Sequence, residues 1–167
     1  TKDPDLHYKI NVQGTEALMK AALKADLEKI VYTSSIAAIG IEKGKISNEE
    51  TPFNSWPWAS EYIMSKFISH HLVKGMVSKG LNVTSVLPGL PLGPGDRMPT
   101  PTGTLILNVL KGNAKNYWQG GVCPVDVRDV ARGHILAMEK GRIGESYCLA
   151  NTEANMSNKD ILTLIGE

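Results

Sequence analysis

Two β-rich runs, Lys29-Ile30-Val31-Tyr32-Thr33 and residues 82–87, flank a helix-forming stretch over residues 59–79. This strand–helix–strand order constrains the fold more than any other feature of the chain. Strands joined through a helix pair in parallel, and a parallel sheet needs helices on its faces. The pattern predicts an α/β protein with a parallel sheet flanked by helices. Ser34-Ser35 closes the first strand and Pro88-Gly89 closes the second. Both pairs therefore stand at the carboxyl edge of the sheet, where open α/β folds bind their ligands.

The helix between them carries Tyr62 and Lys66, four residues apart and so on one face, a turn from one another. An ammonium near a phenol favours the phenolate. A tyrosine tuned in this way can give a proton to a ketone or take one from an alcohol. A Tyr-x-x-x-Lys match alone says little in a chain with 5 tyrosines. Its place between Ser34-Ser35 and Pro88-Gly89 gives it chemical meaning. The same helix carries Ile63, Met64, Phe67, Ile68, Leu72, Val73, Met76 and Val77. These cover more than half its circumference, so it should be buried on more than one side.

A first helix is expected from Asp3, as N-cap before Pro4, to about Ala25. Leu6, Ile10, Leu18, Ala21 and Ala22 are its expected inward face, with Gly14 in its interior. Residues 40–58 form a long polar loop ending in Trp56-Pro57-Trp58, whose tryptophans read as a hydrophobic staple onto the Tyr62 helix, with a substrate wall as the alternative. Residues 88–97 read as a stiff Pro/Gly loop, followed by a helix at 102–111, strands near 115–118 and 122–126, a helix at 127–139 and a strand at 146–150. Ser157-x-x-Asp160 caps a last helix.

A formal net charge of +1 without a Lys/Arg stripe gives no footprint for nucleic acid. The apolar runs are too short to span a bilayer and no signal peptide opens the chain, so no membrane partner and a cytoplasmic location are expected. Cys123 and Cys148 fall on separate strands with no metal-ligand spacing, which reads as a reduced protein. His70 and His71 point about 100° apart on their helix, a partly exposed pair and poor joint ligands. No metal site is expected.

In order along the chain, Asn11-Val12-Gln13-Gly14-Thr15, Val31-Tyr32-Thr33-Ser34-Ser35, Tyr62-x-x-x-Lys66 and Pro94-Gly95-Asp96-Arg97 resemble the extended short-chain dehydrogenases/reductases, also called the NAD-dependent epimerase/dehydratase family. Arg97-Met98-Pro99-Thr100-Pro101-Thr102-Gly103 and Glu139-Lys140-Gly141-Arg142-Ile143-Gly144-Glu145 are similar to its dihydroflavonol-4-reductase-like branch, which includes enzymes labelled hopanoid-associated sugar epimerases. The resemblance implies a Rossmann-type sheet. Residues 1–90 would be the C-terminal part of its NAD(P)-binding domain, with the active-site Ser, Tyr and Lys. Residues 91–167 would be mainly a small α/β substrate-binding region, with segments returning to the sheet. NAD or NADP would be the cofactor, a small carbonyl or alcohol the substrate, and the assembly a homodimer through the helices at 3–25 and 59–79.

The resemblance also implies roles. Tyr62 would be the acid/base, Lys66 would hold the nicotinamide ribose, and Ser35 would hydrogen-bond the reacting oxygen. Asn11, Thr33 and Ser34 would contact the cofactor, and Pro88, Gly89 and Leu90 would lie beside the nicotinamide. Ser35, Ile36, Ala37, Asp96 and Arg97 would border the substrate.

Departures from the family pattern narrow the expectation. Sugar-nucleotide epimerases carry Thr-Val-Tyr-Gly soon after the active serine, and the 4,6-dehydratases carry an Asp-Glu pair. This chain has Ile36-Ala37-Ala38-Ile39-Gly40, without hydroxyl or carboxylate, which favours a less polar carbonyl substrate. Where many relatives have His-Val-Asp-Asp-Val, it has Asp126-Val127-Arg128-Asp129-Val130. No Gly-x-Gly-x-x-Gly or Gly-x-x-Gly-x-x-Gly turn occurs, although such a turn cradles the cofactor pyrophosphate. The family places it ahead of everything present here. The chain therefore reads as a C-terminal part that stops short of its relatives' ends and does not fold alone. Net reduction of a ketone or oxidation of a secondary alcohol is the leading expectation. A sugar or sugar-nucleotide epimerase and a non-catalytic dinucleotide-binding protein are the alternatives.

Overall fold

The structure, a computed structural model, describes residues 5–113, 116–117 and 119–166. It divides into one unit of Thr1–Pro88 with Gly133–Cys148 and a second of Gly89–Arg132 with Leu149–Glu167.

In the first unit, strands β1 (Ile30–Thr33), β2 (Val83–Pro88) and β6 (Ser146–Leu149) form a sheet in the order β1-β2-β6. β1 and β2 run parallel, in register from Ile30 against Val83 to Thr33 against Val86. Gly144 N–H donates to Val83 O and Ser85 N–H to Glu145 O, so the paired positions rise together and β6 also runs parallel to β2. All six residues of β2 are buried, the mark of a central parallel strand covered on both faces. The expected parallel sheet flanked by helices is present.

Residues 5–24 form one rod built of α1 (Asp5–His7), a π-helical segment (Tyr8–Gly14) and α2 (Thr15–Lys24). The expected cap at Asp3-Pro4 lies outside the described residues. The expected inward face is corrected: Leu6, Ile10 and Leu18 are exposed, as is Ala21, while Met19 is buried with Ala22 and Leu23 packed beside the core. An uninterrupted 3.6-residue period fails across a segment whose hydrogen bonds run to the fifth residue, because each such turn shifts the phase of the face.

Helix α3 (Glu61–Met76) starts at Ser60, whose hydroxyl accepts from Ile63 N–H, and runs into a tighter turn at Val77–Lys79. Val73 and Met76 join Met19, Tyr32, Leu81 and Val83 in the core. Trp56 does act as a staple, with its ring 5.0 Å from that of Phe67 and 4.8 Å from that of Phe53. Trp58 stays exposed. His70 corrects the expected partly exposed pair, being only 5% exposed, while His71 is exposed. The loop after β1 is held tightly at Gly40, where a Cβ would lie 1.9 Å from Pro52 O.

In the second unit, β3 (Leu90–Leu92) pairs parallel with β5 (Pro124–Asp126), and β4 (Gly121–Val122) pairs antiparallel with β7 (Met156–Ser157). The stretch expected to be a loop throughout thus opens with a strand, because Leu90 N–H finds Cys123 O at 2.8 Å. Helix α4 (Pro101–Leu110) packs against α6 (Asn158–Gly166). Ser157 caps α6 as expected, accepting from Asp160 N–H at 3.1 Å. Of the expected strand near 115–118, positions 115 and 118 lie outside the described residues and 116–117 form no regular structure. Helix α5 (Val127–Lys140) begins in the second unit and ends in the first.

Candidate active site

At the carboxyl end of β1, Lys66 of α3 donates from Nζ to the Thr33 carbonyl at 3.3 Å. Nζ also lies 5.8 Å from the centre of the Tyr32 ring, within cation–π reach. Burial pushes the Lys66 ammonium below its ordinary value. Tyr62 sits one turn earlier on α3, 44% exposed, with its ring edge-on to His7 at 5.9 Å. Ser35 follows two residues after Thr33 and caps a short turn at Ile36–Ala38, its Oγ accepting from Ala37 N–H at 3.1 Å. That turn packs on α3. The structure therefore brings Thr33, Ser35, Ile36 and Ala37 against the helix that bears Tyr62 and Lys66. Ser34 is fixed through its N–H, which donates to Val86 O at 2.8 Å. Its hydroxyl is buried with no hydrogen-bond partner among the described residues.

Asn11 reaches the same helix from the π-helical segment. Its Nδ2 donates to Ser65 Oγ at 3.0 Å, and Ser65 in turn donates to the Tyr62 carbonyl at 2.8 Å. Ser65 is fully buried. One turn on, Ser69 accepts from Tyr32 OH at 3.0 Å and donates to the Lys66 carbonyl at 3.1 Å. Ser65 and Ser69 thus tie the backbone of the Tyr62/Lys66 turns to the helix and the strand beneath it. Sequence reading passed over both. Their signal was available, since two serines four apart in an otherwise apolar helix need buried partners. His134 was missed too: its Nε2 is hydrogen-bonded to Thr33 Oγ1 at 2.9 Å, and nothing in the local sequence announces it.

Pro88 closes β2 in the first unit, whereas Gly89 and Leu90 belong to the second. Gly89 has a packing reason, because a Cβ there would lie 2.5 Å from Cys123 O. Asp96 lines a cavity of about 560 Å³ between the Pro/Gly loop and α4. Its carboxylate is engaged, accepting from Thr100 N–H at 3.1 Å and from Thr100 Oγ1 at 3.0 Å. Arg97 is exposed on the loop and is absent from that lining.

A model of the NAD dependent epimerase/dehydratase family matches residues 1–150. The chain belongs to that family. A putative dihydroflavonol 4-reductase of Synechocystis is 36% identical over 166 residues, covering 96% of this chain and 48% of the relative. Among solved structures, gox2253 shares 40% identity at a TM-score of 0.92, covering 99% of this chain and 50% of its own. A nucleoside-diphosphate-sugar epimerase from Pseudomonas aeruginosa shares 28% identity at a TM-score of 0.85, covering 96% of this chain and 54% of its own. The chain spans about half the length of the relatives it matches. Among the described residues no helix is long and apolar enough to cross a membrane.

Proposed function

We propose that the whole protein is an NAD(P)-dependent oxidoreductase that reduces a ketone or oxidises a secondary alcohol. The observation that carries this reading is the Lys66 ammonium held on the Thr33 carbonyl, with Tyr62 exposed one turn away. In this reading Tyr62 moves the proton at the reacting oxygen, and Ser35 Oγ orients that oxygen. Lys66 uses one of its three N–H donors on Thr33, so the others remain to hold a ribose hydroxyl. The buried, unpaired Ser34 hydroxyl and the Asn11–Ser65 link fit a cofactor lying along the end of β1. These residues suit the nicotinamide-ribose end of NAD or NADP. When bound, the cofactor supplies or accepts the hydride. In this reading the first unit carries the reacting groups Ser35, Tyr62 and Lys66.

The Synechocystis relative's name supports a reductase. Epimerisation of a nucleotide sugar is the second reading, supported by the Pseudomonas relative's name. The apolar Ile36-Ala37-Ala38 turn, with Ala38 only 2% exposed, favours the first. Net turnover of cofactor separates them, because an epimerase shows none. Exposed Leu6, Ile10 and Leu18 support a homodimer through the 5–24 rod and α3. The test is oxidation of NADH or NADPH by the whole protein against a panel of ketones, with Tyr62→Phe beside it. A variant that keeps normal turnover would refute the reading.

A further inference from the structure

Thr33 closes β1 and is gripped from both faces of the sheet. Successive side chains of a strand point to opposite faces. Tyr32 turns towards α3, where its hydroxyl donates to Ser69 Oγ at 3.0 Å. Thr33 therefore turns to the other face, and there its Oγ1 shares a hydrogen bond of 2.9 Å with His134 Nε2. His134 lies in the part of α5 that belongs to the first unit, as Thr33 and Lys66 do.

The backbone of Thr33 gives that grip a purpose. Ile30 N–H donates to Asn82 O and Ser34 N–H to Val86 O, both towards β2. Peptide groups of adjacent residues in a strand turn to opposite edges, so the Thr33 carbonyl points away from β2. It is this carbonyl that accepts from Lys66 Nζ at 3.3 Å. Lys66 is half-buried and has lost part of its water, so its ammonium depends on where its protein acceptors stand. Threonine is stiff about χ1, and holding Oγ1 holds the strand end with it. Lys29 offers a comparison inside the same unit. It too is half-buried, and its Nζ donates to a carbonyl, that of Gly141, at 2.7 Å.

We propose that His134 is a positioning residue: through the Thr33 hydroxyl it fixes the carbonyl on which Lys66 rests, and so sets where the Lys66 ammonium stands for the cofactor. The last clause rests on the oxidoreductase reading; the hold on Lys66 does not. The experiment is acetylation of the whole protein with acetic anhydride at fixed pH, the rate at each lysine being read by peptide mass spectrometry. Losing one hydrogen bond should let Lys66 react about 3–10-fold faster in His134→Ala and in Thr33→Val. Lys29 should keep its rate in both. The double variant should go no further than the larger single effect, because both substitutions break one link. An unchanged Lys66 rate in Thr33→Val overturns the proposal, and this variant decides alone if His134→Ala does not fold. Additive effects in the double variant overturn it as well, and so does a Lys29 rate that rises in step with that of Lys66, the mark of a fold loosened throughout. Binding of NADH and NADPH is read separately by calorimetry. His134→Ala should weaken it by about the same 3–10-fold. If Lys66 is released while that affinity is unchanged, the hold stands and its bearing on the cofactor falls. If the unaltered protein binds neither nucleotide, the oxidoreductase reading falls, and the acetylation rates still decide the hold.

Discussion

Tyr62 is the residue whose removal tests the proposed chemistry. Tyr62→Phe deletes a proton donor and keeps the ring against His7, so turnover of the whole protein should fall about 10²–10⁴-fold with its unfolding midpoint unchanged. Lys66→Met should damage cofactor affinity as well as rate, which steady-state kinetics at varied NAD(P)H would separate. His70 gives a different signal. Burial, with His71, Lys74 and Lys66 nearby, pushes it down to about 4. In the unfolded chain it takes its proton near 6.5. Between those values the unfolded state binds more protons, so stability rises with pH across the window and is lost as pH falls from about 6.5 towards 4. The loss is at most about 3 kcal/mol. His70→Gln should flatten that slope in unfolding midpoints measured from pH 4 to 7. Gly40→Ala should destabilise the protein by roughly 1–3 kcal/mol or more, since its Cβ would lie 1.9 Å from Pro52 O; chemical denaturation measures this.

Elements were legible in the sequence wherever one period ran unbroken. The apolar run of α3 and the buried run of β2 could be read as written, and so could the cap at Ser157, once Asp160 is seen beside it, whereas the cap at Thr100 went unread. The π-helical segment was illegible, because no residue type marks a turn closed on the fifth residue. That segment sets the phase of Leu6 and Ile10 and carries Asn11 to Ser65. For the same reason the site was read as three side chains, when the serines and Asn11 behind it bond across elements far apart in sequence. Asn11→Ala removes the donor to a fully buried hydroxyl, at a cost of about 1 kcal/mol. It should lower the unfolding midpoint and slow turnover, while Asn11→Gln cannot restore both if the amide's reach is what matters.

At the scale of the molecule, these 167 residues contain no Gly-x-Gly-x-x-Gly turn to cradle a pyrophosphate. Residues 1–167 alone should bind neither NAD nor NADP measurably by calorimetry; micromolar affinity would relocate the cofactor site. The proposed dimer makes its own demand. Met76 of α3 is buried in the core, so the exposed Leu6, Ile10 and Leu18 are the apolar surface an interface on the 5–24 rod would use. Ile10→Glu with Leu18→Glu should convert a dimer to monomer in sedimentation of the whole protein, and a wild type that sediments as a monomer at tens of micromolar would exclude that interface. The Asp96 carboxylate has a consequence of another kind. It grips Thr100, and Thr100 caps Gly103, so the Pro/Gly loop and the start of α4 are bolted into one piece. The wall of the 560 Å³ cavity cannot swing open without uncapping the helix. A ligand entering this cavity would meet a wall already in place, and stopped-flow mixing should show one concentration-dependent phase, with no slow closing step behind it.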